Sequence, residues 1–268
     1  MKETLSFLWN SALYYPLINL LIFFYKILFS NLGLAIIALT LFTRFVLLPL
    51  TWPALKTAAK QKLMKGELDI LKEKYKGDKQ KLAAAQMELM KKHGINPAAG
   101  CLPQLAQLIV LIALYQAFIH VLGVGAAGLS SLNNFLYFPF LHFESGAGLN
   151  AQFLYLDLGK PDQYLILPGL AGASQFWLSK MMMPTVKKEE RVAKKTADKS
   201  DDVMYNMQEQ MLYLAPLMTV LFGWKLPSGL VLYWLLTTLF SLVQQWFFDR
   251  GGIRSLKSLW KTTKNLSF

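Results

Sequence analysis

The chain has 268 residues, is 54% hydrophobic and carries 16% charged residues, a more apolar mixture than a soluble core of this size requires. Its formal net charge is +12, with the basic residues clustered rather than spread. A single cysteine, Cys101, excludes an intramolecular disulfide and a multi-cysteine metal site, and His93, His120 and His142 have no ligand spacing, so no metal is expected.

Residues 1–30 open the chain without the charged start, long apolar core and small-residue cleavage site of a removable signal peptide. Within them, 14–29 (YYPLINLLIFFYKILF) are apolar but contain Pro16 and Lys26, and they fall short of the ~20 residues a helix needs to cross a bilayer. They read as an N-terminal interfacial amphipathic helix, with a short extra span as the alternative. Residues 31–50 form the first transmembrane span, broken only by Arg44.

Residues 51–98 change character, with eleven Lys and five acidic residues. Leu63, Leu68, Leu71, Leu82, Met87 and Met90 recur at helical spacing, Gly77-Asp78 is a turn signal, and Gly94 with Pro97 closes the segment. A helical hairpin outside the membrane is the natural reading. The second span follows at 99–122, then an external loop over 123–161 whose Phe135, Tyr137, Phe138, Phe140 and Phe143 suit an interfacial belt.

The third span covers 162–183 and leads to a Lys-rich loop at 184–207. The fourth and fifth, 208–224 and 227–248, are separated only by Lys225-Leu226 before Pro227, which demands a tight connection. Residues 249–268 form a basic tail. The expected fold is thus an all-α polytopic membrane protein with five transmembrane helices, a cytoplasmic helical hairpin and an interfacial first helix.

Orientation follows from the connections. The hairpin holds eleven Lys or Arg, Lys180–Lys199 holds seven and the tail five, whereas the opposite side keeps only Lys2, Lys26, Lys160 and Lys225. Because basic loops stay on the cytoplasmic side, the N-terminus is expected outside and the C-terminus in the cytoplasm.

Arg44 is the sharpest feature, since an arginine near a helix centre costs ~2.5–3.5 kcal/mol on insertion scales. It lies about 9 Å along the axis from the cytoplasmic end of its span, so snorkelling to that interface is one way to keep it solvated. No Asp or Glu occupies the centre of any span to pair with it; Asp162 and Asp249 sit at ends. The other way is a hydrated intramembrane pocket. Thr40 lies one turn before Arg44, and three more helices carry polar stripes: Gln104, Gln107 and Tyr115; Gln175 and Ser179; and Tyr233, Trp234, Thr237, Thr238, Ser241, Gln244 and Gln245. Each stripe alone is explained by interhelical hydrogen bonds of ~1 kcal/mol, but four stripes with one arginine favour a wet groove.

No phosphate-binding G-x-x-x-x-G-K-[ST] loop and no nucleophile-base set is present, so neither nucleotide hydrolysis nor enzyme chemistry nor a cofactor is expected. The basic segments suit anionic lipid heads or ribosomal RNA. Two other classes compete: a small-anion transporter with Arg44 as its site, which the absence of an inverted repeat disfavours, and an assembly chaperone that binds folded partners.

Four runs carry a resemblance. They are Thr40, Arg44 and Pro49-Leu50; Asn96-Pro97 through Gly100-Cys101-Leu102-Pro103 to Gln107; Ile166-Leu167-Pro168; and Pro227-Ser228-Gly229-Leu230-Val231-Leu232-Tyr233-Trp234. Together they resemble the YidC/Oxa/Alb membrane insertases, in the bacterial form without a large periplasmic domain, over about residues 14–252. The resemblance implies an insertase and chaperone of the bacterial inner membrane, with a five-span core and a groove open to cytosol and lipid. Arg44, Thr40 and Trp234 would hold the family's groove positions, with Ser179 where many members have Gln. Its partners would be nascent membrane proteins and the bilayer, with ribosome, signal recognition particle and Sec translocon as further candidates.

Overall fold

The computed structural model describes residues 2–75, 78–94, 98–123, 129–182 and 202–248. The basic tail at 249–268 and the part of the expected 184–207 loop before Asp202 lie outside the described residues, whereas 202–207 already belong to the helix Asp202–Lys225. Helix α1 (Lys2–Trp9) continues through a wider π turn at Asn10–Tyr14 into α2 (Tyr15–Ile27). Pro16 stands in the first turn of α2, a helix position where proline is tolerated.

Helix α3 runs without a break from Leu32 to Leu63, so the first expected span and the start of the basic segment are one element. Asn31 caps it, its side-chain oxygen accepting from Leu34 N at 3.1 Å. Pro49 and Pro53 lie inside this helix and each withdraws a backbone donor. The Thr51 hydroxyl donates to the Leu48 carbonyl at 3.0 Å nearby. Helices α4 (Lys65–Lys74), α5 (Lys79–Lys92) and α6 (Ala98–Gly123) follow.

The expected external loop is more ordered than its Gly, Ser and Asn content suggests. It holds two short 3-10 turns, Leu129–Phe135 and Pro139–Leu141, and an antiparallel pair of two-residue strands, β1 (Gln152–Phe153) and β2 (Leu156–Asp157). Side chains replace the missing ladders: Asn133 accepts from Phe143 N at 2.8 Å and donates to Phe143 O at 3.0 Å. Helices α7 (Ile166–Met182), α8 (Asp202–Lys225) and α9 (Ser228–Phe247) are the last of the described elements.

Among the described residues, three helices contain stretches long and apolar enough to cross a membrane by length and composition: Leu32–Thr57, Ala106–Gly123 and Ser228–Phe247. Leu212–Lys225 is a shorter apolar helix, and α7 has 17 residues.

Backbone contacts divide the chain into two units. The first comprises 1–47, 104–174 and 218–240. Its core joins Leu17, Ile18, Leu21, Ile22 and Tyr25 of α2 to Leu32, Ala35, Ile36 and Leu39 of α3, and to Ala113, Leu114, Ala117 and Phe118 of α6. Leu230, Val231, Leu232 and Tyr233 of α9 complete it. Helix α2 buries positions four apart on one face, and Asn19 fixes it by donating to Tyr15 O and Phe135 O and accepting from Tyr137 N.

Outward faces of this unit are apolar too. Leu41, Phe42, Phe45 and Val46 on α3 and Leu108, Ile112 and Ile119 on α6 are exposed, a pattern costly in water and appropriate to lipid. The aromatics of the loop divide. Tyr137, Phe138 and Phe140 are exposed, whereas Phe135 packs edge-on to His120 and Phe143 packs beside Tyr25 and under the Lys26 ammonium. Half-buried packing, rather than a belt role, explains those two.

The second unit comprises 48–103, 175–217 and 241–268. Asp78 caps α5, accepting from Lys81 N at 3.0 Å, and pairs with the Lys81 ammonium at 2.9 Å. Helices α4 and α5 pack on each other, and His93 Nε2 meets Glu67 Oε2 at 2.9 Å where α5 ends. Met64, between α3 and α4, is fully buried.

Candidate functional site

The polar positions of α3 and α9 first satisfy their own helices. Thr40, fully buried, donates to Ile36 O at 2.6 Å, and Thr43 donates to Leu39 O and Thr40 O at 2.9 and 3.0 Å. On α9 the hydroxyls of Thr237 and Thr238 both donate to Trp234 O, at 2.8 and 3.0 Å. This back-bonding lets hydroxyls sit inside an apolar bundle without losing a donor, and it leaves their oxygen lone pairs as acceptors.

Tyr233 is the contact point between helices. Its side chain is buried, at 2% exposure, and its hydroxyl accepts from Gln107 Nε2 of α6 at 2.9 Å. The Thr43 hydroxyl of α3 faces the same phenol. Three helices therefore meet at one oxygen.

Arg44 is within electrostatic reach of Tyr233. On a helix advancing about 100° per residue, Arg44 is turned some 40° from buried Thr40 toward exposed Leu41, so it stands at the rim between the packed face and the outward one. Its Nε is buried and makes no hydrogen bond among the described residues. A guanidinium with a donor directed inward and unspent is a strong anchor for an acceptor that arrives later.

The remaining expected positions are distributed. Trp234 is half-buried beside Tyr233 on α9. Tyr115 is exposed, in line with Ile112 and Ile119 on the outward face of α6. Gln104 is in α6, but its side chain lies outside the described residues. Gln175, Ser179 and Gln244 belong to the second unit, where Gln244 Nε2 donates to Thr51 Oγ1 at 3.0 Å and Gln175 and Ser179 are half-buried on α7.

Two features escaped the sequence reading. Thr43 was hidden because a threonine one residue before an arginine looks like any intrahelical hydroxyl. The other is the docking of the α9 N-terminus on the turn after β2. There Ser228 N donates to Lys160 O at 2.8 Å, Ser228 Oγ to Asp157 O at 2.8 Å and Gly229 N to Leu158 O at 3.1 Å. The first N–H groups of a helix have no intrahelical partner, and here the turn supplies them. Gly229 permits the approach, since a Cβ there would lie 3.2 Å from Leu158 O and 3.3 Å from the Phe118 ring.

The turn is itself braced. Lys160 pairs with Asp157 at 2.8 Å, and Gly159 N donates to Asp157 Oδ1 at 3.1 Å. The Lys160 hydrogen bond, with that backbone donor, holds the Asp157 carboxyl below the usual carboxylate range and raises Lys160. Asp162, buried, accepts from Leu167 N at 2.7 Å, Tyr164 N at 3.0 Å and Tyr155 OH at 3.1 Å, which ties the start of α7 to the same loop.

Helices of spanning length, apolar outward faces and a polar contact buried in one unit define a multi-pass helical membrane protein. The family described as 60Kd inner membrane protein matches residues 23–255. Membrane protein insertase YidC 1 of Halalkalibacterium halodurans is 32% identical over 254 residues, covering 93% of this chain and 82% of that protein. Membrane protein insertase YidC of Fusobacterium nucleatum is 31% identical over 252 residues, covering 94% of this chain and 96% of its own. A YidC insertase of Wolinella succinogenes is 35% identical over 236 residues, but the match covers only 36% of that longer protein. The chain belongs to the YidC/Oxa family of 60Kd inner membrane proteins, a family of membrane insertases and not of enzymes.

Proposed function

We propose that this chain inserts other polypeptides into the bacterial cytoplasmic membrane through a hydrophilic groove within the bilayer, without hydrolysing nucleotide. The observation that carries the reading is Arg44, whose buried Nε–H has no hydrogen-bond partner among the described residues and whose guanidinium is within electrostatic reach of the Tyr233 phenol. A charge placed there is costly unless water or an acidic group reaches it.

In this reading five spans cross the membrane, α7 and the apolar Leu212–Lys225 part of α8 being the shorter ones, with the N-terminus outside and the basic hairpin, loop and tail in the cytoplasm. Within the first unit, Thr40, Gln107, Tyr233, Trp234 and Thr237 line the groove with Arg44; Gln104, Tyr115, Gln175, Ser179 and Gln244 are its further expected positions from the polar stripes alone. The bonds from Ser228 and Gly229 to the 157–160 turn support closure at the outer end. Clients are nascent membrane proteins, and the basic cytoplasmic segments are the surface for ribosome, signal recognition particle or Sec translocon contacts.

The physical work is a lowered barrier. A client's polar segment enters the groove and crosses only part of the hydrocarbon, with its acidic groups held by Arg44. Its apolar segment then moves into lipid, where each large side chain that leaves water gains about 1.5–3 kcal/mol. No other energy source is required once the polar segment has crossed.

Vesicles containing only this protein test the reading. A single-span client added during its synthesis should become protected from external protease in those vesicles and not in protein-free ones. A flux of small anions with no client protection would assign Arg44 to transport instead.

A further inference from the structure

Three bulky apolar residues at one end of the first unit occupy backbone that L-amino acids adopt reluctantly. Phe29, Leu154 and Leu165 have φ of 57°, 54° and 56°. Such positions ordinarily fall to Gly or Asn. Burial does not account for the choice, because Phe29 is 88% and Leu154 84% exposed, and Leu165 is exposed as well.

Their placement relative to the spanning helices is fixed by local contacts. Phe29 precedes by three residues Leu32, where the apolar stretch of α3 begins. Leu154 follows Phe153 in the turn between β1 and β2. The Phe153 ring lies where a Cβ on Gly33 would be, 2.1 Å from that position, and Leu32 N donates to Asn150 O at 3.2 Å. Leu154 is therefore held at the level where α3 starts. Leu165 precedes Ile166 at the start of α7, and the exposed face continues through Ile166 and Leu170. Tyr155 and Tyr164 are exposed, with rings 5.9 Å apart, and the Tyr155 hydroxyl is tied to Asp162.

We propose that Phe29, Leu154 and Leu165 form an apolar collar that dips into the headgroup–acyl boundary of the leaflet at this end of the protein. Tyr155 and Tyr164 form its polar-tipped rim. Left-handed turns direct these side chains away from the core, and a lipid boundary is the medium that removes exposed apolar surface beside the start of a spanning helix. The partner is lipid rather than protein because the collar runs on from Leu165 into the exposed apolar face of α7 at Ile166 and Leu170. The collar also fixes depth: Arg44 lies 12 residues beyond Leu32, about 18 Å along α3, so the collar's level sets how far Arg44 is from either surface.

The inference rests on α3 and α6 crossing the membrane, and the test separates the two. In a Cys101→Ser background, single cysteines at Phe29, Leu154 and Leu165 are spin-labelled in phosphatidylethanolamine/phosphatidylglycerol vesicles. Their collision rates with oxygen and with a water-soluble nickel complex are then compared. Ile112→Cys reports hydrocarbon and Glu144→Cys reports water. The collar labels should favour oxygen over nickel, at depths between the two controls. Nickel-accessible collar labels with an oxygen-favouring Ile112 label would overturn the collar alone, whereas a nickel-accessible Ile112 label would overturn the spanning assignment beneath it. Leu154→Gly, which suits the left-handed backbone, keeps the fold testable. It should shift the Phe29 label toward water, and an unchanged Phe29 depth would count against a shared collar.

Discussion

Gln107 donates its side-chain amide to the Tyr233 hydroxyl at 2.9 Å, and this bond joins α6 to α9 within electrostatic reach of Arg44. Replacing Tyr233 by Phe leaves the ring and its packing but strands the Gln107 donor and removes an oxygen within electrostatic reach of the guanidinium. A loss of about 1–2 kcal/mol in thermal stability in detergent is expected from an unsatisfied buried amide. Client insertion should fall as well. Tyr233→Phe combined with Gln107→Leu should recover stability without recovering insertion, which a purely structural bond would not predict.

Gly33 is required by contact rather than by backbone freedom. A Cβ there would overlap the Phe153 ring, with the three nearest ring and Cβ atoms at 2.1 to 2.7 Å. Gly33→Ala should cost roughly 1–3 kcal/mol, as overpacking does. Trimming the partner in the double variant Gly33→Ala, Phe153→Ala should recover part of it, measured by thermal unfolding in detergent.

The docking of α9 on the 157–160 turn should show in Ser228→Ala. That change removes the hydroxyl bond to Asp157 O but keeps the backbone bond to Lys160 O. A cost of about 1 kcal/mol is expected, typical of a lost helix-start contact. Faster amide exchange at the start of α9, with the middle of the helix unchanged, is the measurement that locates it.

Acid should loosen the same turn. The folded Asp157 carboxyl titrates below its unfolded value because of Lys160 and the Gly159 N–H, so its contribution is fully present above the ordinary value of about 3.9 and is lost as pH falls through the depressed one. The protection of the Ser228 and Gly229 amides relative to their intrinsic exchange rates, followed from pH 6 downward, should therefore fall only below about pH 4. In Asp157→Asn that acid-dependent step should vanish.

Much of this architecture was legible in residue patterns, because long apolar runs and a lone arginine carry their physics locally. An all-α membrane protein was readable in this way, and among the described residues three helices, Leu32–Thr57, Ala106–Gly123 and Ser228–Phe247, have spanning length and apolarity. The continuity of α3 through Leu63 was not legible, since two prolines and a switch from apolar to basic residues look like a boundary while the backbone continues as one helix. Gln107 and Tyr233 were visible as polar positions on separate helices, but their pairing depends on which faces meet. Thr40, Thr237 and Thr238 were visible as members of polar stripes, but a stripe does not show that their hydroxyls donate to their own helices. The order of the 129–160 loop was hidden because it rests on single side chains such as Asn133 and Asn19 bonding distant backbone.

The central claim is that Arg44 receives acidic groups of an entering client. Its most direct measurement is protease protection of two single-span clients, identical except for an acidic or a neutral outer segment, in vesicles holding the native protein or Arg44→Ala. The acidic client should lose roughly tenfold in insertion rate with the variant, equivalent to about 1.4 kcal/mol of barrier, and the neutral client should change little. Equal rates for the acidic client in both preparations would contradict the account.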